Sequence, residues 1–219
     1  MKYKAAIFDM DGLLLDTERI FRDAFKKTCE VLGYEFDKSL FVKLIGTNSV
    51  KTKEIILNGF GKGFNYDIFR DNWLRNVKDY LSHNSIPLKE GAVKLLEKIK
   101  AIPLPMAVAT STKYSDAVKS LESTGILNYF NFIVAGDQVS KGKPDPEIYR
   151  MTADKFGVMP DECIVFEDSE NGVKSAYGAG MDVIQVPDLL EPSIELKSRG
   201  HRIYDSLDDV CGDFEALFI

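Results

Sequence analysis

Cysteine, histidine and positive charge are all scarce in this chain of 219 residues. The three cysteines, Cys29, Cys163 and Cys211, lie far apart and form no CxxC pair. That spacing fits free thiols in a reducing compartment and argues against a disulfide framework or a zinc site. With two histidines, His83 and His201, a histidine-rich metal centre and most Ser-His-Asp arrangements lack material. Both are read as surface or satisfied residues. Lysine and arginine number 28 against 34 acidic residues, a net charge of −6. A general nucleic-acid binder needs a basic surface to displace counterions, so that class is set aside. A small phosphorylated partner stays open, because there the field of one pocket decides. No apolar run reaches the length of a membrane span. The opening Met1-Lys2-Tyr3-Lys4 leads into an apolar stretch broken at Asp9, with no signal-peptide core. The expectation is a cytoplasmic protein without a membrane segment.

Hydrophobic residues make up 45% of the chain and charged residues 28%, enough apolar material for a full core. The run Ala5-Ala6-Ile7-Phe8 stops abruptly at Asp9, which is how a buried parallel strand reads. Four further runs of this kind are 105–109, 132–135, 163–166 and 183–186, separated by helix-like stretches at 91–101, 115–125, 146–156 and 172–179. Strands alternating with helices predict right-handed βαβ units and a parallel, Rossmann-like α/β sheet covered on both faces. Residues 17–85 break the rhythm: they hold helical patterns at 18–32, 38–45, 50–58 and 67–82 and no convincing strand. The domain reading is therefore a discontinuous core of 1–16 and 86–219 with an all-helical insert, 17–85, whose aromatics Phe60, Phe64, Tyr66, Phe69 and Trp73 are its packing core.

In an open parallel sheet, ligands bind beyond the carboxyl ends of the strands. Those ends carry Asp9-Met10-Asp11-Gly12, then Thr110-Ser111-Thr112, then Glu167-Asp168-Ser169, with Gly142-Lys143-Pro144-Asp145-Pro146 between the third and fourth strands. Crowded carboxylates repel one another unless a cation offsets them, and hard oxygen ligands suit Mg2+. A lysine and hydroxyls aimed at the same point, Lys143 with Thr110 and Ser111, can hold phosphate oxygens. Asp9 is then a nucleophile for phosphorus. Asp11 is an acid that protonates the leaving oxygen and afterwards accepts a proton from water. Gly12 permits the tight turn that follows.

These residues resemble the haloacid dehalogenase superfamily, in the branch of β-phosphoglucomutase and related sugar-phosphate phosphatases. The stretch Phe8-Asp9-Met10-Asp11-Gly12-Leu13-Leu14-Leu15-Asp16-Thr17-Glu18 is similar to the first motif of that branch. Thr110, Lys143 in Gly-Lys-Pro-Asp-Pro, and Glu167-Asp168-Ser169 with Gly172 match the other three in order, so the likeness spans the chain. The resemblance implies a phosphatase acting on a small phosphorylated metabolite. Asp9 would be nucleophile and metal ligand, and Asp11 acid/base with its backbone carbonyl on the metal. Asp168 would be the other Mg2+ ligand, with Glu167 supporting or joining it, and Thr110 and Lys143 would bind the transferring phosphate. It also implies a helical cap over the site and a monomer.

Each motif alone has a plainer reading. Asp-x-Asp-Gly can be a surface turn; as a calcium loop it fails, because Ile20 stands where the closing Glu belongs. Thr110 or Ser111, and Asp168-Ser169, can be helix caps, and Lys143 a solvated lysine. They gain meaning together. Among rival reactions, dehalogenases and phosphonate-cleaving relatives lack an acid at the place of Asp11. A phosphomutase is the runner-up. Its cap loop carries an arginine three residues after a glycine, and in Leu44-Ile45-Gly46-Thr47-Asn48-Ser49 that place is Ser49. A non-catalytic protein on the same fold would be expected to lack one of Asp9, Asp11, Lys143 or Asp168.

Overall fold

The computed structural model describes residues 2–47 and 49–218; Asn48, in the loop compared with the mutases, lies outside them. Six parallel strands form one sheet: β1 (Ala5–Phe8), β2 (Met106–Thr110), β3 (Phe132–Ala135), β4 (Cys163–Glu167), β5 (Asp182–Gln185) and β6 (Arg202–Ile203). Their order is β3-β2-β1-β4-β5-β6. The first five coincide with the expected strands to within a residue at each end; Thr110 and Glu167 prove to be the last residues of their strands. The short β6 was not anticipated. It is two residues long, half exposed and begins with Arg202, so no apolar run marks it.

Alternation along the strands sorts side chains to two faces. Ala6 and Phe8 enter the larger core, closed by α5 (Ala92–Lys100), α6 (Tyr114–Ser123), α10 (Leu207–Gly212) and α11 (Phe214–Phe218). Ala5 and Ile7 enter the second core, under α7 (Glu147–Phe156), α8 (Glu170–Ala179) and α9 (Ile194–Lys197). The sheet is thus buried on both sides, which is why its strands read as continuous apolar runs.

Between β1 and β2 the chain forms α1 (Thr17–Leu32), α2 (Lys38–Val42), α3 (Ser49–Phe60) and α4 (Tyr66–His83). In α1 the buried residues Ile20, Ala24, Phe25, Thr28 and Cys29 recur at helical spacing, and they meet Tyr66, Phe69, Trp73 and Val77 of α4. Together they make a separate apolar cluster in which Phe25 and Phe69 stack edge-on at 4.9 Å. Trp73 Nε1 donates to the Phe21 carbonyl at 2.8 Å, which satisfies the buried indole. The helix expected over 38–45 stops at Val42, and the chain continues through turns to Thr47.

The two strands of chain that lead into and out of this helical segment are joined to each other. Leu15 bridges Leu88 in antiparallel fashion, with Asp16 N–H donating to Pro87 O at 2.9 Å and Lys89 N–H to Leu14 O at 2.9 Å. Beside them Asp188, in the loop after β5, accepts from Arg19 at 2.8 Å and Lys89 at 2.6 Å. Leu189 and Leu190 of that loop pack on the helical segment's own cluster. Among the described residues no helix is long and apolar enough to cross a membrane.

Candidate active site

The strand order reverses between β1 and β4, and a crevice opens at such a switch point beyond the strand ends. Asp9 directly follows β1 and Asp168 directly follows β4. Ligand atoms of Asp9, Glu167 and Asp168 lie within 4.8 Å of one another, all three residues buried. Lys143 reaches into this cluster from the loop before α7. Its Nζ donates to Asp9 Oδ1 at 2.6 Å, Glu167 Oε1 at 2.5 Å and the Ala109 carbonyl at 3.0 Å. All three ammonium protons are therefore engaged. Three buried carboxylates face one ammonium, an all-oxygen donor set with an excess of negative charge, and such a set could hold a metal ion.

The electrostatics follow from burial. Desolvation pushes the Asp9 carboxyl up to about 8 even though Lys143 pulls it down, and Glu167 and Asp11 add to the rise. Asp168 is raised well above the usual range, again first by burial and then by Glu167 and Asp9. Lys143 is raised because Asp9 and Glu167 outweigh the opposing effect of its own burial.

Glu167 has its oxygens taken by protein donors. Oε1 accepts from Lys143 and from Tyr149 Oη at 2.6 Å; Oε2 accepts from the N–H groups of Asp168 and Ser169 at 3.1 and 3.2 Å and from Ser169 Oγ at 3.2 Å. Gly172 explains how the carboxylate fits there: a Cβ on it would stand 1.8 Å from Glu167 Oε1. Ser169 is the N-cap of α8, accepting from Gly172 N–H at 3.1 Å. The capping reading of Asp168-Ser169 thus holds for the serine alone. No donor among the described residues reaches the Asp168 carboxylate. Gly12, at φ +84°, makes the turn after Asp11, and a Cβ there would stand 2.4 Å from Asp168 Oδ2.

Asp11 is not one of the three clustered carboxylates and is held by hydroxyl groups. Its oxygens accept from Thr17 Oγ1 at 2.7 Å and Thr112 Oγ1 at 2.7 Å, with Thr110 Oγ1 more distant at 3.4 Å. Thr110 Oγ1 itself accepts from Thr112 N–H at 3.1 Å, so it braces the turn after β2 and does not cap α6, which begins after Lys113. Among the described residues no hydrogen bond joins the Ser111 side chain to the carboxylates; its backbone instead lies against Gly136. Sequence reasoning assigned no role to Thr112, Thr17 or Tyr149. Glu18, in the first turn of α1, also faces this site, and burial raises it to about 8, with Asp11, Asp188 and Asp9 contributing. Thr17 and Glu18 were legible only as part of the first motif, and Tyr149 sits six residues beyond Lys143 with no spacing rule to mark it.

Fold and site together define a protein of Rossmann-like α/β architecture with a cluster of buried carboxylates at the switch point of its parallel sheet. The chain matches the family described as haloacid dehalogenase-like hydrolase over residues 6–186, and it belongs to that family. It is 34% identical over 183 residues to the phosphorylated carbohydrates phosphatase of Thermotoga maritima, covering 83% of each chain. It is 31% identical over 198 residues to fructose-1-phosphate phosphatase YqaB of Escherichia coli, covering 84% of this chain and 97% of that one. The crystal structure of CbbY from Rhodobacter sphaeroides in complex with phosphate superposes with a TM-score of 0.74 at 27% identity, over 94% of this chain and 95% of that one.

Proposed function

We propose that this protein is a Mg2+-dependent phosphatase that hydrolyses a small phosphate monoester through a phospho-aspartyl intermediate on Asp9. The observation that carries the reading is the buried cluster of Asp9, Asp168 and Glu167 around a single lysine at the switch point. The excess of carboxylate charge and the donor-free side chain of Asp168 fit a hard divalent cation. Asp9, Asp168 and the backbone carbonyl of Asp11 would hold it, and Glu167, whose oxygens already accept from five protein donors, supports Lys143 and the turn that carries Asp168. When bound, Mg2+ would offset the carboxylates and the charge of the phosphoryl oxygens.

The chain's own residues divide the remaining work. Lys143 and Thr110 bind oxygens of the transferring phosphoryl group, Lys143 by exchanging one of its present acceptors for a phosphate oxygen. Asp9 attacks phosphorus and the ester oxygen leaves in line. Asp11 protonates that oxygen and then takes a proton from the water that hydrolyses the acyl phosphate. Thr17 and Thr112 orient its carboxyl group. Ser111 is the weakest of the substrate-binding candidates, since its side chain has no such contact.

The helical segment 17–85 acts as the cap on a core of 1–16 and 86–219; its separate apolar cluster and paired crossings support that division. The substrate class is a sugar phosphate or nucleoside-type phosphate. The names of the two curated relatives, one for phosphorylated carbohydrates and one for fructose 1-phosphate, support the former. Ser49, exposed at the start of α3, offers no cationic anchor for a second phosphate, which favours hydrolysis over a mutase.

The test is phosphate release from a panel of sugar and nucleoside monophosphates, with and without Mg2+, beside Asp9→Asn. Mg2+-dependent release that is lost in a folded Asp9→Asn protein is the expected result. Full activity in that variant sinks the mechanism. Silence on every monoester, with turnover of phosphohexoses given a bisphosphate primer, would make the protein a mutase.

A further inference from the structure

We propose that Gln185 and His201 are positioning residues for the turn that carries Asp168. The inference rests on the reading of Asp168 as a cation ligand and extends it to one residue of the neighbouring strand and one just before β6.

Gln185 is the last residue of β5, paired with Glu167 across the ladder and buried. Its Nε2 donates to the backbone carbonyl of Asp168 at 3.2 Å. The N–H of Asp168 in turn donates to Glu167 Oε2. Both main-chain polar groups of Asp168 are thus held by side chains, while its carboxylate is left without a protein donor. A held backbone fixes where the side chain starts, and a carboxylate without a protein donor leaves its oxygens open to a cation.

The orientation of the Gln185 amide is decided by His201, whose Nε2 lies 2.8 Å from Gln185 Oε1. An amide that donates through Nε2 must accept through Oε1, so His201 carries its proton on Nε2. A flipped amide would set Oε1 against the Asp168 carbonyl and its own N–H groups against the imidazole N–H. The other ring nitrogen, Nδ1, is buried without a partner among the described residues. The ring is held edge-on to Tyr177 at 5.8 Å, and burial, then Arg199, keep it below its ordinary pKa and neutral. Among the described residues, the bond to Gln185 is thus the only hydrogen bond this ring makes.

The test uses the full chain with Mn2+ in place of Mg2+, the free ion being counted by electron paramagnetic resonance, and with thermal midpoints recorded in parallel. His201→Phe should weaken Mn2+ binding about three- to tenfold, the worth of one lost hydrogen bond. His201→Gln, which can present an amide N–H near the position of Nε2, should restore it to within about twofold. Gln185→Leu should weaken it at least as much as His201→Phe; if that buried change unfolds the protein, the partly exposed His201 pair still decides. Equal binding by His201→Phe and His201→Gln overturns the proposal, as does unchanged affinity in both Phe and Leu variants while Asp168→Asn loses the ion. Unchanged binding in Asp168→Asn removes the ligand reading itself, and the inference with it.

Discussion

At Gly172 the first turn of α8 passes so close to Glu167 that any side chain would occupy the place of the carboxylate. Overpacking of this kind costs about 1–3 kcal/mol, and here the displaced group also anchors Lys143. Gly172→Ala should therefore lower the thermal midpoint and reduce turnover more than the loss of stability explains; a calorimetric scan beside a rate measurement checks both. The neighbourhood also marks the limit of what residue types reveal. Asp9, Lys143 and Asp168 were legible because each stands at a strand end or in the loop between strands, where topology brings such positions together. Thr112 and Tyr149 were not, because a hydroxyl becomes informative only when its partner is known. Each bonds a carboxylate that the sequence had already singled out, Asp11 in one case and Glu167 in the other.

Among elements, the loop after β5 bears on the helical segment most directly. Asp188, its side chain 1% exposed, accepts from Arg19 of α1 and from Lys89 just past the return crossing, while its Oδ2 has no partner among the described residues. Arg19 is 42% exposed and also pairs with Asp16, so solvent screens part of the interaction. Asp188→Asn should destabilise the protein by about 1–2 kcal/mol, read as a lower urea midpoint. The same change should raise the substrate KM if α1 moves against the core. None of this could be read from the sequence, since the partners lie about 170 and 100 residues apart. Strands β1 to β5 were legible for the opposite reason: burial on both faces writes itself into each segment as an unbroken apolar run. The edge strand β6, with Arg202 exposed and Ile203 half-buried, carries no such mark.

For the molecule as a whole, the burial of the acidic cluster links stability to pH, and, on the proposed function, to a divalent cation as well. Asp9 and Glu18 are raised to about 8, chiefly by burial, and Asp168 is raised as well. The fold therefore favours their protonated forms. Their contribution to stability is full below the ordinary carboxylate pKa of about 4 and is lost as pH rises toward about 8. A divalent cation needs the deprotonated forms, so the rise in thermal midpoint on adding Mg2+ should grow between pH 5 and about 8. A midpoint gain that shrinks over that interval would show that the buried carboxylates are not where the ion binds.

The paired crossings at Leu15 and Leu88 give the chain a second property. Where an insertion enters and leaves through neighbouring, hydrogen-bonded residues, its ends are already closed, and the cost of lengthening or exchanging what lies between rises only slowly with length. About seventy residues lie between those crossings, and a change of length among them need not shift the register of any strand. The exception is the first turn of α1, where Thr17 bonds Asp11 and Arg19 bonds Asp188: an exchange that keeps these residues would leave the switch point as it is.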